Sequence, residues 1–465
     1  MADIWYILPP GASATLAPRI RAACADHPHT ILEAAGPAPV QARLAQAEAR
    51  RAIPQAICLI GPAEALPHGA FDDATGFDPA VLTDNDYGSP APFSQPDRFG
   101  PDGLPAVPVC RIPTLDGELV ERLLSVRDVL PAGWEDGVGL TCARWAGASA
   151  AALAAMGGDS APLLRSPPLG IPTVASALPQ RPRRIYANLH GSDQAPAWFG
   201  DQGDGQMPEA LRPTHLAHPA PNALLLSEAC YGARHEPDVE TVAMRFLRGG
   251  GSAMVGSTVV AWGPISPPIG LADVLIVETL RAFDAGATLP QAVQTAREAV
   301  IGDKTHLLPQ EANTIASFIA LGGPLARVAR SHVHRPAPPN ASLLNRVRAA
   351  RDARGGGGPL GAARARLRAA EARGQWRAPA RLHLSLAELR ARFATAADLQ
   401  ARLRAALGTE PATIALVEYE APGGFAAQLI AAADLPFGRH AVALILGAGG
   451  QVEQTLSTRT ASAPR

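Results

Sequence analysis

Two short apolar runs in this chain each end on a side chain able to react. Ile185-Tyr186-Ala187-Asn188-Leu189 leads into His190-Gly191, and Ala223-Leu224-Leu225-Leu226-Ser227-Glu228-Ala229 leads into Cys230-Tyr231-Gly232. A thiolate attacks a carbonyl carbon without needing the strong base that a hydroxyl requires, and an imidazole can hand a proton to the leaving group. Taken singly, a thiol reads as a small buried hydrophobe and a histidine as a satisfied core residue. Set at the ends of two strands of one sheet, the pair reads as nucleophile and proton donor. Cys230 and His190 are therefore the candidate catalytic residues.

The elements needed to position them are legible on either side. Residues 3–8, 30–35 and 56–60 read as strands, with helices at 13–25 and 39–51, which is the alternation of βαβ units and a parallel sheet. Residues 63–105, rich in Pro, Gly and Asp, read as a long surface excursion before a strand at 107–112 and a helix at 115–130. A second set starts after Pro131-Ala132-Gly133. It has strands at 139–145, 185–189, 223–229 and 253–257, and helices at 146–156, 237–247, 271–285, 289–300 and 309–320. Cys230 and His190 fall at the carboxyl ends of parallel strands, where open α/β sheets place their sites.

Residues 331–380 break the pattern. Pro336-Ala337-Pro338-Pro339 and Gly355-Gly356-Gly357-Gly358-Pro359 flank stretches of Arg and Ala, which mark a linker. A small α+β unit follows, with helical character over 384–407, strands at 413–420, 425–432, 441–446 and 452–458, and a turn at Gly447-Ala448-Gly449-Gly450. The expected organisation is an N-terminal α/β subdomain (1–130), a catalytic α/β subdomain (131–330), the linker (331–380) and a C-terminal α+β domain (381–465).

Composition removes several function classes. The net charge of −1 gives no broad attraction to nucleic acid or membrane, and no apolar run approaches the ~20 residues of a bilayer span. The basic stretch 346–381 alternates with Ala and acids such as Asp352 and Glu371, as a solvated linker does. No basic n-region precedes an apolar segment at the start, and the five cysteines form no CxxC. A reducing cytoplasm is the expected setting, without disulfides or zinc.

Gly249-Gly250-Gly251-Ser252 follows a helix and precedes a strand, the reverse of a phosphate loop. His215, His218, His235, His332 and His334 show no metal-ligand spacing. Asp84, Asp86, Asp97 and Asp102 could hold a structural calcium ion, but a solvated acidic loop is the reading adopted. No other cofactor is expected.

With those residues in place, the chain resembles the gingipain-like cysteine peptidases, relatives of caspases, legumains and separases. The group's pattern is an apolar run ending in His-Gly and a second ending in Ala-Cys, here Leu189-His190-Gly191 and Glu228-Ala229-Cys230. Further stretches are similar to the gingipain branch. They are Asp84-Asn85-Asp86-Tyr87-Gly88, then Val109-Cys110-Arg111-Ile112-Pro113, Ala253-Met254-Val255-Gly256-Ser257-Thr258, Ala261-Trp262 with Pro264, and Leu321-Gly322-Gly323-Pro324-Leu325. Cys110 stands where that branch usually has Gly, and Gly323 replaces an acid.

The resemblance covers about residues 1–330. It implies a caspase/gingipain-like parallel-sheet α/β/α sandwich in two subdomains and a cysteine endopeptidase acting through an acyl-enzyme. It also implies an oxyanion hole from the backbone N–H groups of Gly191 and Cys230. Trp262 would form a wall of the substrate pocket, with Ser257 beside it and the 146–149 region, including Ser149, as its floor. Gly at 191 suits the close backbone approach this needs.

The chain departs from the arginine-specific members. Their acids after the strand at 139–145 are absent, since Ala146-Gly147-Ala148-Ser149-Ala150-Ala151 stands there. A Cys–His dyad, with His190 oriented by a carbonyl or another residue, is expected, together with preference for a small or uncharged residue before the scissile bond. The expected partners are a protein or peptide substrate and a regulatory protein, with the C-terminal unit as a docking or inhibitory module. The competing reading is a catalytically weak caspase-like scaffold or binding module. A nucleotide-dependent transferase or dehydrogenase lacks its fingerprint.

Overall fold

The computed structural model describes residues 3–71, 73, 75–90, 104–129, 133–236, 238–302, 307–328, 380–421, 424–435, 438–447 and 451–458. Among these residues sixteen strands fall into two large sheets. They are β1 (Ile4–Leu8), β2 (His29–Glu33), β3 (Ala56–Ile60), β4 (Val109–Ile112), β5 (Val138–Cys142), β6 (Leu163–Ser166), β7 (Arg184–Asn188), β8 (Leu224–Ser227), β9 (Ala253–Ser257), β10 (Trp262–Pro264), β11 (Phe318–Gly322), β12 (Ala380–Leu384), β13 (Thr413–Ala421), β14 (Gly424–Leu435), β15 (Gly438–Leu446) and β16 (Val452–Thr458).

The first sheet has ten strands in the order β2-β1-β3-β4-β11-β9-β8-β7-β5-β6. β2, β1, β3, β4 and β11 run parallel to one another, as do β9, β8, β7, β5 and β6. The two sets meet antiparallel at β9 and β11, where Val255 faces Ala320. The two halves point in opposite directions, and β11, late in the chain, crosses over to join the half built by β1 to β4. Strands buried on both faces carry continuous apolar runs. In β1 the side-chain alternation is plain: Ile4, Tyr6 and Leu8 pack with Leu16 and Ile20 of helix Ser13–Ala23, whereas Trp5 and Ile7 pack with Val40 and Leu44 of helix Pro37–Ala49.

Residues 56–60 and 253–257 fold as the sequence indicated. The 309–320 segment differs. Its helix stops at Ser317 and the chain continues as β11, because the run Phe318-Ile319-Ala320-Leu321 fits a fully buried strand as well as a helix face, and β9 offers it a partner. The region 63–105 is also no simple surface excursion. Gly69–Phe71 pairs with Val81–Thr83, and Thr83 through Tyr87 are buried. Thr83 Oγ1 donates to the Ala316 carbonyl at 2.7 Å and Thr258 Oγ1 to Leu82 at 2.7 Å, tying this loop to the β9–β11 seam.

Arg111 explains why the loop turns inward. Its guanidinium is wholly buried, donates to both oxygens of Asp84 at 2.9 and 2.6 Å, and reaches the Gly61 carbonyl at 2.9 Å. His68 donates to Asp84 at 2.8 Å, and the His235 ring stands edge-on to His68 at 5.4 Å. Burial works against the Asp84 charge, but Arg111 and His68 hold its carboxyl well below the usual carboxylate range. The Asp84 carboxylate is thereby engaged by Arg111 and His68 of the chain itself; Asp97 and Asp102 lie outside the described residues. Among the described residues no group of His, Cys, Asp or Glu is arranged to hold a metal ion.

The second sheet has the order β10-β16-β15-β14-β13-β12 and is antiparallel. Helices Leu386–Arg392 and Ala396–Leu407 pack on it through Leu389, Leu399, Leu403 and Leu407. The 384–407 stretch is thus two helices, the first capped by Ser385 with Glu388 and ended by an extended Phe393. β10 follows closely on β9 of the first sheet, so the C-terminal strand β16 completes its sheet on a strand of the first unit.

Two outcomes test the buried cluster. Arg111→Leu leaves Asp84 buried without its main cation and should cost about 3–5 kcal/mol of stability; a loss below about 1 kcal/mol in denaturant unfolding would contradict the assignment. Burial, then the Arg111 and His68 charges, push His235 down to about 3. Its folded value lies below the ordinary ~6.5, so the unfolded chain binds the proton more readily. The stability it contributes is present above about pH 6.5 and lost as pH falls toward 3. Denaturation midpoints should drop between pH 7 and pH 5, less steeply in His235→Gln; an unchanged slope in that variant would contradict this.

Candidate active site

β7 and β8 are direct neighbours, with Ala187 opposite Ser227, and both carry only buried side chains. Two bonds across their carboxyl ends hold the register beyond the ladder. The Glu228 N–H donates to the Ala187 carbonyl at 2.8 Å, and the Tyr186 hydroxyl to Glu228 Oε1 at 3.0 Å. His190-Gly191 and Cys230 are therefore delivered to the same rim. The Gly191 backbone lies against the Cys230 carbonyl so closely that a Cβ at 191 would collide with it, the close approach that only glycine allows.

The turn after the thiol is strained. Tyr231 has φ +52°, a left-handed conformation that non-glycine residues rarely adopt. Its N–H bonds the Val259 carbonyl at 2.9 Å and its hydroxyl donates to Asp78 at 2.7 Å, so the surroundings over-determine it. The other Asp78 oxygen accepts the Val260 N–H at 3.0 Å, and burial pushes this carboxyl up to about 6. The Cys230 sulfur accepts the Ala261 N–H at 3.1 Å and lies 3.6 Å from the Ala261 carbonyl oxygen. Trp262 follows directly, wholly buried, with Phe77 edge-on at 6.3 Å. The structure thus brings His190, Gly191, Cys230 and Trp262 into one locality.

The two serines occupy supporting positions. Ser149 Oγ shares a hydrogen bond with Thr141 Oγ1 at 2.7 Å and accepts Asn188 Nδ2 at 2.9 Å, bracing the end of β7 two residues before His190. Ser257 Oγ donates to the Val259 carbonyl at 2.9 Å and lies 3.0 Å from Ser317 Oγ.

One residue of the site was missed in the sequence. Asp201 Oδ2 lies 3.4 Å from His190 Nε2, a long hydrogen bond between two buried side chains. His190 and Phe199 exchange backbone bonds at 3.0 and 2.8 Å, and this bridge folds the intervening chain back so that Asp201 returns to the imidazole. The Gly203 N–H on its other oxygen (2.6 Å) and Arg144 at 3.6 Å complete its surroundings. Burial alone would raise the Asp201 carboxyl. The bond and charge of His190, the Gly203 N–H and Arg144 instead hold it below the usual carboxylate range. The available signal was the Gly200-Asp201 that follows the aromatic pair Trp198-Phe199, eleven residues beyond the histidine.

Above the imidazole lies the C-terminal unit. The rings of His190 and His440 stand edge-on with centroids 6.0 Å apart, and Trp145 tilts against His190 at 4.4 Å. Arg144 donates to the carbonyls of Ala405 and Ala406 in the last turn of helix Ala396–Leu407, where unpaired carbonyls attract a cation. Cys230 and His190 have no solvent exposure at all.

No family model matches the chain, and no curated protein matches it. Solved structures do. The chain is similar to the arginine-specific cysteine proteinase gingipain R at 12% identity and TM-score 0.50, over 70% of this chain and 78% of that one. A complex of the pro- and mature domains of a Porphyromonas gingivalis gingipain matches at 13% identity and TM-score 0.50, over 70% and 80%. The chain has the caspase/gingipain fold.

Proposed function

We propose that this protein is a cysteine endopeptidase in which Cys230 attacks the scissile carbonyl carbon, His190 moves the proton and Asp201 holds the imidazole. The observation that carries this reading is the delivery of thiol and imidazole to the ends of two adjacent parallel strands, Gly191 against Cys230, with a buried carboxylate on the imidazole. The Cys230 proton passes to His190, and the thiolate adds to the carbonyl. The negative oxygen so formed is stabilised by the backbone N–H groups of Gly191 and Cys230. The carbon–nitrogen bond breaks as His190 protonates the departing amine, leaving a thioester. Water then attacks that carbonyl with His190 as base, the carboxyl product leaves and the thiol is restored. Asp201 stabilises the imidazolium between the two halves.

In the pocket, the Ala146, Gly147, Ala148 and Ser149 stretch offers no carboxylate to an incoming guanidinium. This supports preference for a small or uncharged residue before the scissile bond. Narrow specificity and control by a protein partner belong to the same proposal. Among the described residues no helix is long and apolar enough to cross a membrane.

The burial of Cys230 and His190 favours a second reading, a scaffold with retained geometry and little turnover. Incubation with a peptide library, followed for hours by mass spectrometry, separates the two. The peptidase reading expects cleavage that disappears in Cys230→Ala. Asp201→Asn should lower kcat by about 10²-fold with KM little changed, the usual worth of correctly poised proton transfer. Cleavage persisting in Cys230→Ala, or none in either the wild type or a variant with the C-terminal unit loosened (His440→Glu), would defeat it. A dominant Arg or Lys before the cleaved bond would overturn the specificity assignment.

A further inference from the structure

Resting on the peptidase reading, a second feature concerns what covers the site. β10 begins one residue after Ala261, which contacts the Cys230 sulfur through both backbone groups. Its outer edge is a strand edge beside the nucleophile, the kind of edge on which an extended peptide pairs by adding a strand. That edge is occupied. β16 pairs with it antiparallel, Trp262 opposite Thr458, Gly263 opposite Ser457 and Pro264 opposite Leu456.

The same unit closes the site from above. His440, on β15, stands against His190, and its Nδ1 is 3.2 Å from Thr458 Oγ1. Val417, Ile430, Ala432, Ala441, Ala443 and Leu456 pack into the core of the catalytic subdomain.

The contact is nevertheless incomplete in its polar groups. His440 Nε2, Ser457 Oγ and Trp262 Nε1 are all buried without a hydrogen-bond partner among the described residues. Buried polar atoms in a permanent core are almost always satisfied, and each orphan carries a desolvation penalty. Three such atoms lie on the two sides of one contact, and displacement of the unit would give them water or a peptide as partner.

We propose that the C-terminal unit is a built-in occluder: β16 takes the β10 edge in place of a peptide, His440 caps His190, and the site becomes usable when the unit is displaced. The occupant is a segment of this same chain, and the enzyme is latent by construction.

The test measures how fast Cys230 is alkylated by iodoacetamide in the full chain, read by mass spectrometry on the peptide that contains it. His440→Glu places a carboxylate in the buried contact and should raise the rate at least tenfold over the wild type. A second protein, Gly263→Cys with Ser457→Cys, joins opposed residues of β10 and β16. Its oxidised form should be alkylated at Cys230 at least tenfold more slowly than its own reduced form. Equal rates in the oxidised and reduced forms would overturn the proposal even where His440→Glu merely unfolds the unit. Iodoacetamide needs no peptidase chemistry, so the outcomes separate. Gated alkylation without peptide cleavage would sink the peptidase reading alone. Full-rate peptide cleavage by the oxidised form would sink the occluder alone.

Discussion

Everything at this site depends on the parallel pairing of β7 with β8. Because the two strands run side by side in one direction, the residues beyond their ends emerge together. The Glu228 contacts to Ala187 and Tyr186 fix that register past the last ladder bond. A slip of one residue would move every side chain to the opposite face and separate His190 from Cys230. The Thr141–Ser149–Asn188 hydrogen bonds brace the same strand end from the neighbouring side. Beyond it, the His190–Phe199 bridge brings Asp201 back to the imidazole. The reactive atoms are thus placed by backbone geometry, with side chains adding the last constraints.

Around this pair the molecule is a sheet of two opposed halves joined at β9 and β11. The seam is reinforced by the 81–89 loop, drawn in by Arg111 and stitched to residues more than two hundred positions away. A buried arginine of this kind demands a carboxylate partner, and Asp84 with its flanking chain supplies it. The loop therefore acts as part of the core, and its outer portion approaches the site through Asp78 and Phe77.

Much of this was legible in sequence. The two reactive runs, the βαβ alternation and the strands at 56–60 and 253–257 follow from local pattern, since a strand buried on both faces leaves an apolar run bounded by turn residues. What escaped depended on partners distant in the chain. Residues 318–322 carry a run that suits helix and strand alike, and only β9 decides between them. Asp84 looked like one solvated acid among several because Arg111 meets it only in the folded core. Asp201 could not be assigned to His190 without the backbone bridge. Nor does local pattern show that Arg144 caps a helix some 260 residues later.

The C-terminal unit gives the chain a different character from an open protease domain. Its strand completes a sheet with β10, its His440 covers the imidazole, and Arg144 fixes one of its helices. The central claim remains the chemistry beneath it. The most direct measurement is tandem mass spectrometry of the protein after reaction with a set of peptidyl acyloxymethyl ketones bearing small or uncharged residues next to the reactive carbonyl. The account predicts a single covalent adduct on Cys230, at least tenfold slower to form in His190→Ala. An adduct on any of Cys24, Cys58, Cys110 or Cys142 in preference to Cys230, or a rate indifferent to His190, would contradict it.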